Sequence, residues 1–186
     1  HATMDVLVDL LLGREVGSAG RTRGERRDEL VVRFQQTCGA VTAKGVEDTA
    51  YYRWTQLVGL CEVGGEPSRF ALTPTDLAAW AARQQVAAPL AMTTLSTHDT
   101  KRSEDTRARL GVLSELPAEW SRLVLAVRGA TASARSARVD GRAEQWVWQT
   151  LAGTWTPEGP ISRERLVEYL TKALREAKTH TWWTAP

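Results

Sequence analysis

Twice in this chain a short run of small and β-branched residues ends in a tight polar cluster and then gives way to a helical pattern. The first run is Cys38-Gly39-Ala40-Val41-Thr42-Ala43, followed at once by Lys44-Gly45-Val46-Glu47-Asp48. The second is Leu90-Ala91-Met92-Thr93-Thr94-Leu95, followed by Ser96-Thr97-His98-Asp99-Thr100-Lys101-Arg102. Lys44 in the first cluster and His98 in the second lie 54 positions apart. Strand, charged tip and helix in that order are the grammar of successive βα units. In a (β/α)8 barrel the carboxyl ends of the strands form the reactive face, so charged tips there are candidates for chemistry. Two strands cannot close a barrel, and parallel strands need cover on both faces. The expectation is therefore a segment of something longer. Composition by itself favours a plainer reading, a helical domain whose acids complement the helix dipole.

The rest of the chain reads as helix. Met4, Leu7, Val8, Leu11 and Leu12 recur at helical spacing over residues 2–12, up to Gly13. The Arg- and Gly-rich stretch 13–28 is interrupted by acids and reads as a solvated loop rather than an RNA-binding segment. Helical patterns follow over 27–36 and then through Ala50, Trp54, Leu57, Val58 and Cys61, stopping at Gly64-Gly65. Thr73-Pro74-Thr75-Asp76 is a helix start with its cap. Further helices are expected from Ser103, from Pro117, over 142–152 and over 162–178, with a loop at 129–142. The expected fold is mainly α, six to eight helices, with one or two short β-strands left over from a barrel. The division expected is an N-terminal helix and loop (1–26), βα units bearing both clusters (27–115) and a helical domain (116–186).

Hydrophobic residues at 42% and charged residues at 25% describe a globular chain of 186 residues. Twenty-four Lys and Arg against 22 Asp and Glu leave a net charge of +2. That balance argues against nucleic acid or an anionic membrane as the main partner. No apolar run approaches the roughly 20 residues of a membrane span. His1-Ala2-Thr3-Met4-Asp5 carries no secretory signature, and Cys38 and Cys61 read as reduced thiols, which suits the cytoplasm. No cofactor and no metal is expected.

Taken singly, the tips say little. A His beside an Asp is usually a satisfied hydrogen-bond pair, Lys44-Gly45 suits a solvated turn, and Glu47 and Asp48 suit a first helical turn. With Lys101 and Arg102 both tips gather acids and bases, which suits a pocket for a neutral polyhydroxylated ligand. Eight tryptophans are many for this length. Trp54, Trp80, Trp120, Trp146 and Trp148 are expected in the core, although such rings also stack on sugars.

The stretches Val41–Arg53 and Thr94–Asp105 closely resemble the maltooligosyl trehalose synthases, within the α-amylase family (glycoside hydrolase family 13). Glu62-Val63-Gly64-Gly65, Trp148-Gln149-Thr150-Leu151 and Lys172–Thr181 are similar to the same family. The resemblance covers most of 28–183 and implies a segment of a TIM-barrel enzyme acting on a maltooligosaccharide. The reaction it implies turns the reducing-end α-1,4 bond into α,α-1,1 by retaining intramolecular transglucosylation, which needs a carboxylate nucleophile and a carboxylic acid/base about 5–5.5 Å apart. Neither of those motifs matches here, so the resemblance places them upstream and implies that this chain alone is inactive, with the remainder of the same enzyme as its partner. It makes Asp99 the transition-state stabiliser and His98 a hydroxyl-binding neighbour. Lys44 and Glu47 fall near the displaced glucose, with Asp48, Lys101, Arg102 and Tyr52 as further substrate-binding candidates. Cys61, Trp182 and Thr42 depart from the family pattern at positions of packing rather than at the His-Asp pair. The alternatives are an amylase-type α-glucan hydrolase segment and a non-catalytic helical carbohydrate-binding or interaction module.

Overall fold

The computed structural model describes residues 2–14, 25–181 and 183–184. The chain is mainly α-helical, in two compact units, His1–Gly45 and Val46–Pro186. The first unit holds α1 (Ala2–Leu11) and α2 (Glu25–Thr42), which touch one another. Helix α1 buries none of its residues and runs out at Gly13, whose φ of 78° an L side chain resists. Residues 15–24 of the loop expected at 13–28 lie outside the described residues.

Neither strand-like run forms a strand. Cys38–Thr42 continues α2, and the backbone then widens into a π-helical run, Ala43–Ala50, which passes into a single α-helical turn, α3 (Tyr51–Arg53). Residues 90–95 are irregular and open to water, Leu90 at 95% and Met92 at 98% exposure. The physical reason is backbone accounting. A lone strand has no ladder to receive its N–H and C=O groups, so they bond locally in a helix or to solvent. Among the described residues the only β pairing is an isolated bridge, Thr156 to Gly159.

The second unit is built on α5 (Glu104–Glu115), α7 (Gly141–Thr154) and α8 (Arg163–Ala177), with α4 (Pro74–Ala87) and α6 (Pro117–Ala130) completing the set. Its core is Tyr52, Val58, Leu110, Trp146, Ala173 and Ala177. Helices α5 and α7 meet closely because Gly153 offers no side chain: a Cβ there would lie 2.9 Å from Thr106 Cγ2 and 3.0 Å from Leu110 Cγ. Helix α8 buries Ala173 and Ala177, while Leu174 remains 40% exposed. Of the tryptophans expected in the core, Trp146 is buried and Trp80 is exposed.

The helical pattern expected through Cys61 breaks after Arg53, and the chain runs extended into a short 3-10 turn, Val58–Leu60. A buried amide compensates for the lost helical bonds. Gln149 accepts from Val58 N–H at 2.8 Å and donates to Thr55 C=O at 2.7 Å, fastening this segment to α7. Helix α3 is fastened to the far end of α8. Arg53 donates to Ala177 C=O at 2.5 Å and to Lys178 C=O at 3.4 Å, and Lys178 Nζ bonds Thr49 Oγ1 at 3.0 Å. Lys178 itself takes a left-handed conformation, φ 50°, that ends the helix.

Helix α4 begins with the expected capping box. Thr73 Oγ1 accepts from Asp76 N–H at 3.1 Å, Asp76 accepts from Thr73 N–H at 3.2 Å, and Pro74 opens the first turn. Yet α4 buries nothing, and Leu77 and Trp80 stand exposed. Among the described residues no helix is long and apolar enough to cross a membrane.

Candidate functional site

Two segments far apart in sequence meet at Lys101. The π-helical run supplies Asp48, and the turn before α5 supplies Asp99. Lys101 Nζ lies 2.7 Å from Asp48 Oδ1 and 3.4 Å from Asp99 Oδ1. The lysine and Asp48 are withdrawn from water, at 8% and 16% side-chain exposure, whereas Asp99 is half exposed at 52%. Burial pulls the Lys101 ammonium toward neutrality, but the hydrogen bond and charge of Asp48, with Tyr52 and Asp99 behind them, outweigh it and raise its pKa.

The position of Lys101 is fixed through its backbone by a residue that the sequence reading did not count as a site residue. Glu62 Oε1 accepts from Lys101 N–H at 2.7 Å and from Val63 N–H at 2.8 Å, and Glu62 Oε2 accepts from Arg102 N–H at 3.0 Å. One carboxylate thus holds both ends of the cationic dipeptide. The chain can turn back sharply after Glu62 because Gly64 has φ 71° and Gly65 sits against backbone. A Cβ on Gly65 would lie 2.8 Å from Glu62 C=O and 2.9 Å from Leu60 C=O. Glu47 joins the same turn, accepting from Gly64 N–H at 3.0 Å. The only hint in sequence was the Glu immediately before Val-Gly-Gly.

Arg102 turns inward. It donates to Tyr169 OH at 3.0 Å and to Cys61 C=O at 3.4 Å, and its guanidinium lies 5.1 Å from the Trp146 ring centroid. Tyr52 packs on the same indole at 5.4 Å, and burial pushes its phenol up to about 12. Burial likewise pushes the Cys61 thiol up to about 12 against the opposing pull of Arg102. Arg102 and Tyr52 therefore order the interior behind the turn. Lys44 belongs to the first unit, and the cluster described here is composed of residues of the second.

His98 and Asp99 form the exposed tip of the turn. Thr97 N–H donates to Thr100 Oγ1 at 2.5 Å, and Asp99 N–H donates to Thr97 Oγ1 at 3.3 Å, so two threonines shape the tip that presents the acid. Asp99 is open to solvent and not sealed in an apolar interior. Neither it nor His98 lines the nearby hollow of about 180 Å³, whose walls include Lys101, Arg102, Thr106, Thr150, Arg165 and Tyr169. Among the described residues no group of three or more His, Cys, Asp or Glu could hold a metal ion.

A helical body carrying this acid–base turn has a counterpart among known enzymes. Solved structures described as maltooligosyltrehalose synthases share its fold. The one from Arthrobacter ramosus is 41% identical with a TM-score of 0.74, covering 89% of this chain and 21% of that one. A structure described as a hypothetical maltooligosyl trehalose synthase of Sulfolobus tokodaii is 28% identical with a TM-score of 0.73, covering 88% of this chain and 25% of that one. Among curated proteins, the "Putative maltooligosyl trehalose synthase" of Mycobacterium tuberculosis H37Rv is 46% identical over 164 residues, 87% of this chain and 21% of that protein. No family model matches the chain. The chain is thus homologous to a segment of the maltooligosyl trehalose synthases and spans about a fifth of the length of the curated relatives it matches.

Proposed function

We propose that this chain forms part of an isomerase that converts the reducing-end α-1,4 bond of a maltooligosaccharide into the α,α-1,1 bond of maltooligosyl trehalose. The observation that carries the reading is the Lys101 bridge, which joins the two sequence clusters that resemble the family through Asp48 and Asp99. In this reading Asp99 holds ring hydroxyls of the sugar that becomes cationic, more tightly in the transition state than in the ground state. His98 binds a hydroxyl of the same ring. Lys101 holds the Asp99 carboxylate in position, Asp48 holds Lys101, and Glu62 holds the backbone of both cationic residues. Lys44 and Glu47 contact the displaced glucose, which must turn over while water is kept out. Arg102 and Tyr52 support the pocket from behind.

Residues 27–115 supply the barrel-derived part and 116–186 a helical domain, in a cytoplasmic enzyme of the α-amylase family. The nucleophile and the acid/base lie upstream, in the portion of the relatives that this chain does not match. The half-exposed Asp99 accords with that, since walls for a saccharide would come from the same portion. The test uses the full-length enzyme. Asp99→Asn should cost several kcal/mol in kcat/KM on maltopentaose, and the 186-residue chain alone should leave maltopentaose reducing. A loss of a few tenths of a kcal/mol in the first assay would favour a non-catalytic binding module. Release of mainly reducing sugar by the unmutated enzyme would favour a hydrolase.

A further inference from the structure

Glu47, Asp48 and Thr49 are consecutive in the π-helical run, and each side chain is bonded to a different distant segment. Glu47 Oε1 accepts from Gly64 N–H at 3.0 Å, Asp48 Oδ1 lies 2.7 Å from Lys101 Nζ, and Thr49 Oγ1 accepts from Lys178 Nζ at 3.0 Å. Gly64 follows Glu62, Lys101 belongs to the turn that carries Asp99, and Lys178 closes α8, 129 positions from Thr49. π-Helical backbone is uncommon and mostly confined to a single turn, whereas this run has eight residues. Its register, and with it the place of the Asp48 carboxylate, therefore depends on groups that grip it from outside.

Lys178 is set apart by its backbone as well. Among the described residues it is the only one other than glycine with a positive φ, 50°. Glycine is the usual residue where a helix closes in this way, because a Cβ is disfavoured there. The main-chain bonds of Lys178 do not account for a lysine, since glycine would make them too: its N–H donates to Arg175 C=O and its C=O accepts from Arg53. What glycine would lack is the ammonium group. The backbone outlier and the contact of that ammonium with Thr49 thus point to one role. Asp48 and Lys101 are both withdrawn from water, so a shift of the π-helical run is passed to Lys101 and on to Asp99, 3.4 Å beyond.

We propose that Lys178 is a positioning residue for Asp99, acting through Thr49, the adjacent Asp48 and the Asp48–Lys101 bridge. That role presupposes the part given to Asp99 above and adds the end of α8 to what the acid depends on. The test uses the full-length enzyme on maltopentaose. Lys178→Gly relieves the backbone and removes the ammonium, so the thermal midpoint should not fall. Its kcat should fall about tenfold, because a small misplacement of a reacting group is costly, while KM stays within about twofold. Lys178→Arg keeps a cationic donor and should retain most of the turnover. Thr49→Val removes the acceptor and should lose as much as Lys178→Gly, and the double variant should lose no more than the larger single loss. In the Asp99→Asn background Lys178→Gly should cost little further. An undiminished kcat in Lys178→Gly beside an impaired Asp99→Asn would overturn the proposal and leave the reading of Asp99 standing. A loss in KM alone, or a kcat that falls only together with the thermal midpoint, would make Lys178 a structural residue and overturn it too. Intact turnover in Asp99→Asn would overturn both.

Discussion

The 2.7 Å contact between Lys101 Nζ and Asp48 Oδ1 ties the turn at 97–102 to the π-helical run that ends 51 positions before Lys101. Both side chains are mostly buried, so removing either takes from the other its close, charged hydrogen-bond partner. Lys101→Met should cost about 3 kcal/mol. Asp48→Asn, which keeps an acceptor, should cost less. The double variant should lose less than the sum, and strict additivity in urea unfolding would show that the pair is not coupled.

Glu62 makes a separate prediction because its partners are backbone groups. Glu62→Gln keeps the shape but replaces one acceptor oxygen with an amide that has nothing to donate to. Lys101 or Arg102 N–H then loses its charged acceptor, at about 1–3 kcal/mol. The amide resonances of these two residues should shift more than any others, and an unchanged unfolding midpoint would show that the turn does not need this carboxylate.

Gly153→Ala tests the close approach of α5 and α7. The new methyl would crowd Thr106 Cγ2 and Leu110, an overpacking worth about 1–3 kcal/mol. Thr106→Ser removes the nearer obstacle, so in the double variant thermal unfolding should recover part of the loss. No recovery would place the crowding at Leu110 alone.

Alkaline pH should destabilise the second unit. Cys61 is raised from 9.0 to about 12 and Tyr52 from 10.0 to about 12, both chiefly by burial. The unfolded chain therefore releases these protons first. The stabilisation is complete below pH 9 and is lost as pH rises toward 12. In the same range of pH the folded chain should leave Cys61 slow to react with iodoacetamide, while urea-unfolded chain reacts freely. Because Cys38 is a second, less buried thiol, the label is located by peptide mapping, and fast labelling of Cys61 in the folded chain near pH 9 would contradict its burial.

What could be read from the sequence was local. Thr73, Pro74 and Asp76 announce their helix start because the capping bonds span three residues, and Ser103 and Ser162 cap α5 and α8 in the same way. The acids and bases of the two clusters were legible as types, and the Lys101 bridge joins three of them. The inward turn of Arg102 was not legible, because it depends on Tyr169 and Trp146, which are distant in sequence. Glu62 was missed for the same reason, since its worth lies in N–H groups 39 and 40 positions away. Cys38–Thr42 and Leu90–Leu95 have strand composition, but a strand is a property of its neighbours as much as of itself. Without a ladder on either side, the first became helix and the second irregular.

The uncovered side chains of Leu90, Met92 and Leu95 also govern how this polypeptide behaves in a test tube. Oily groups left in water attract their like on other molecules, and sulfate or phosphate strengthens that attraction. Preparations should therefore stay clear when dilute and cloud as they are concentrated in such salts.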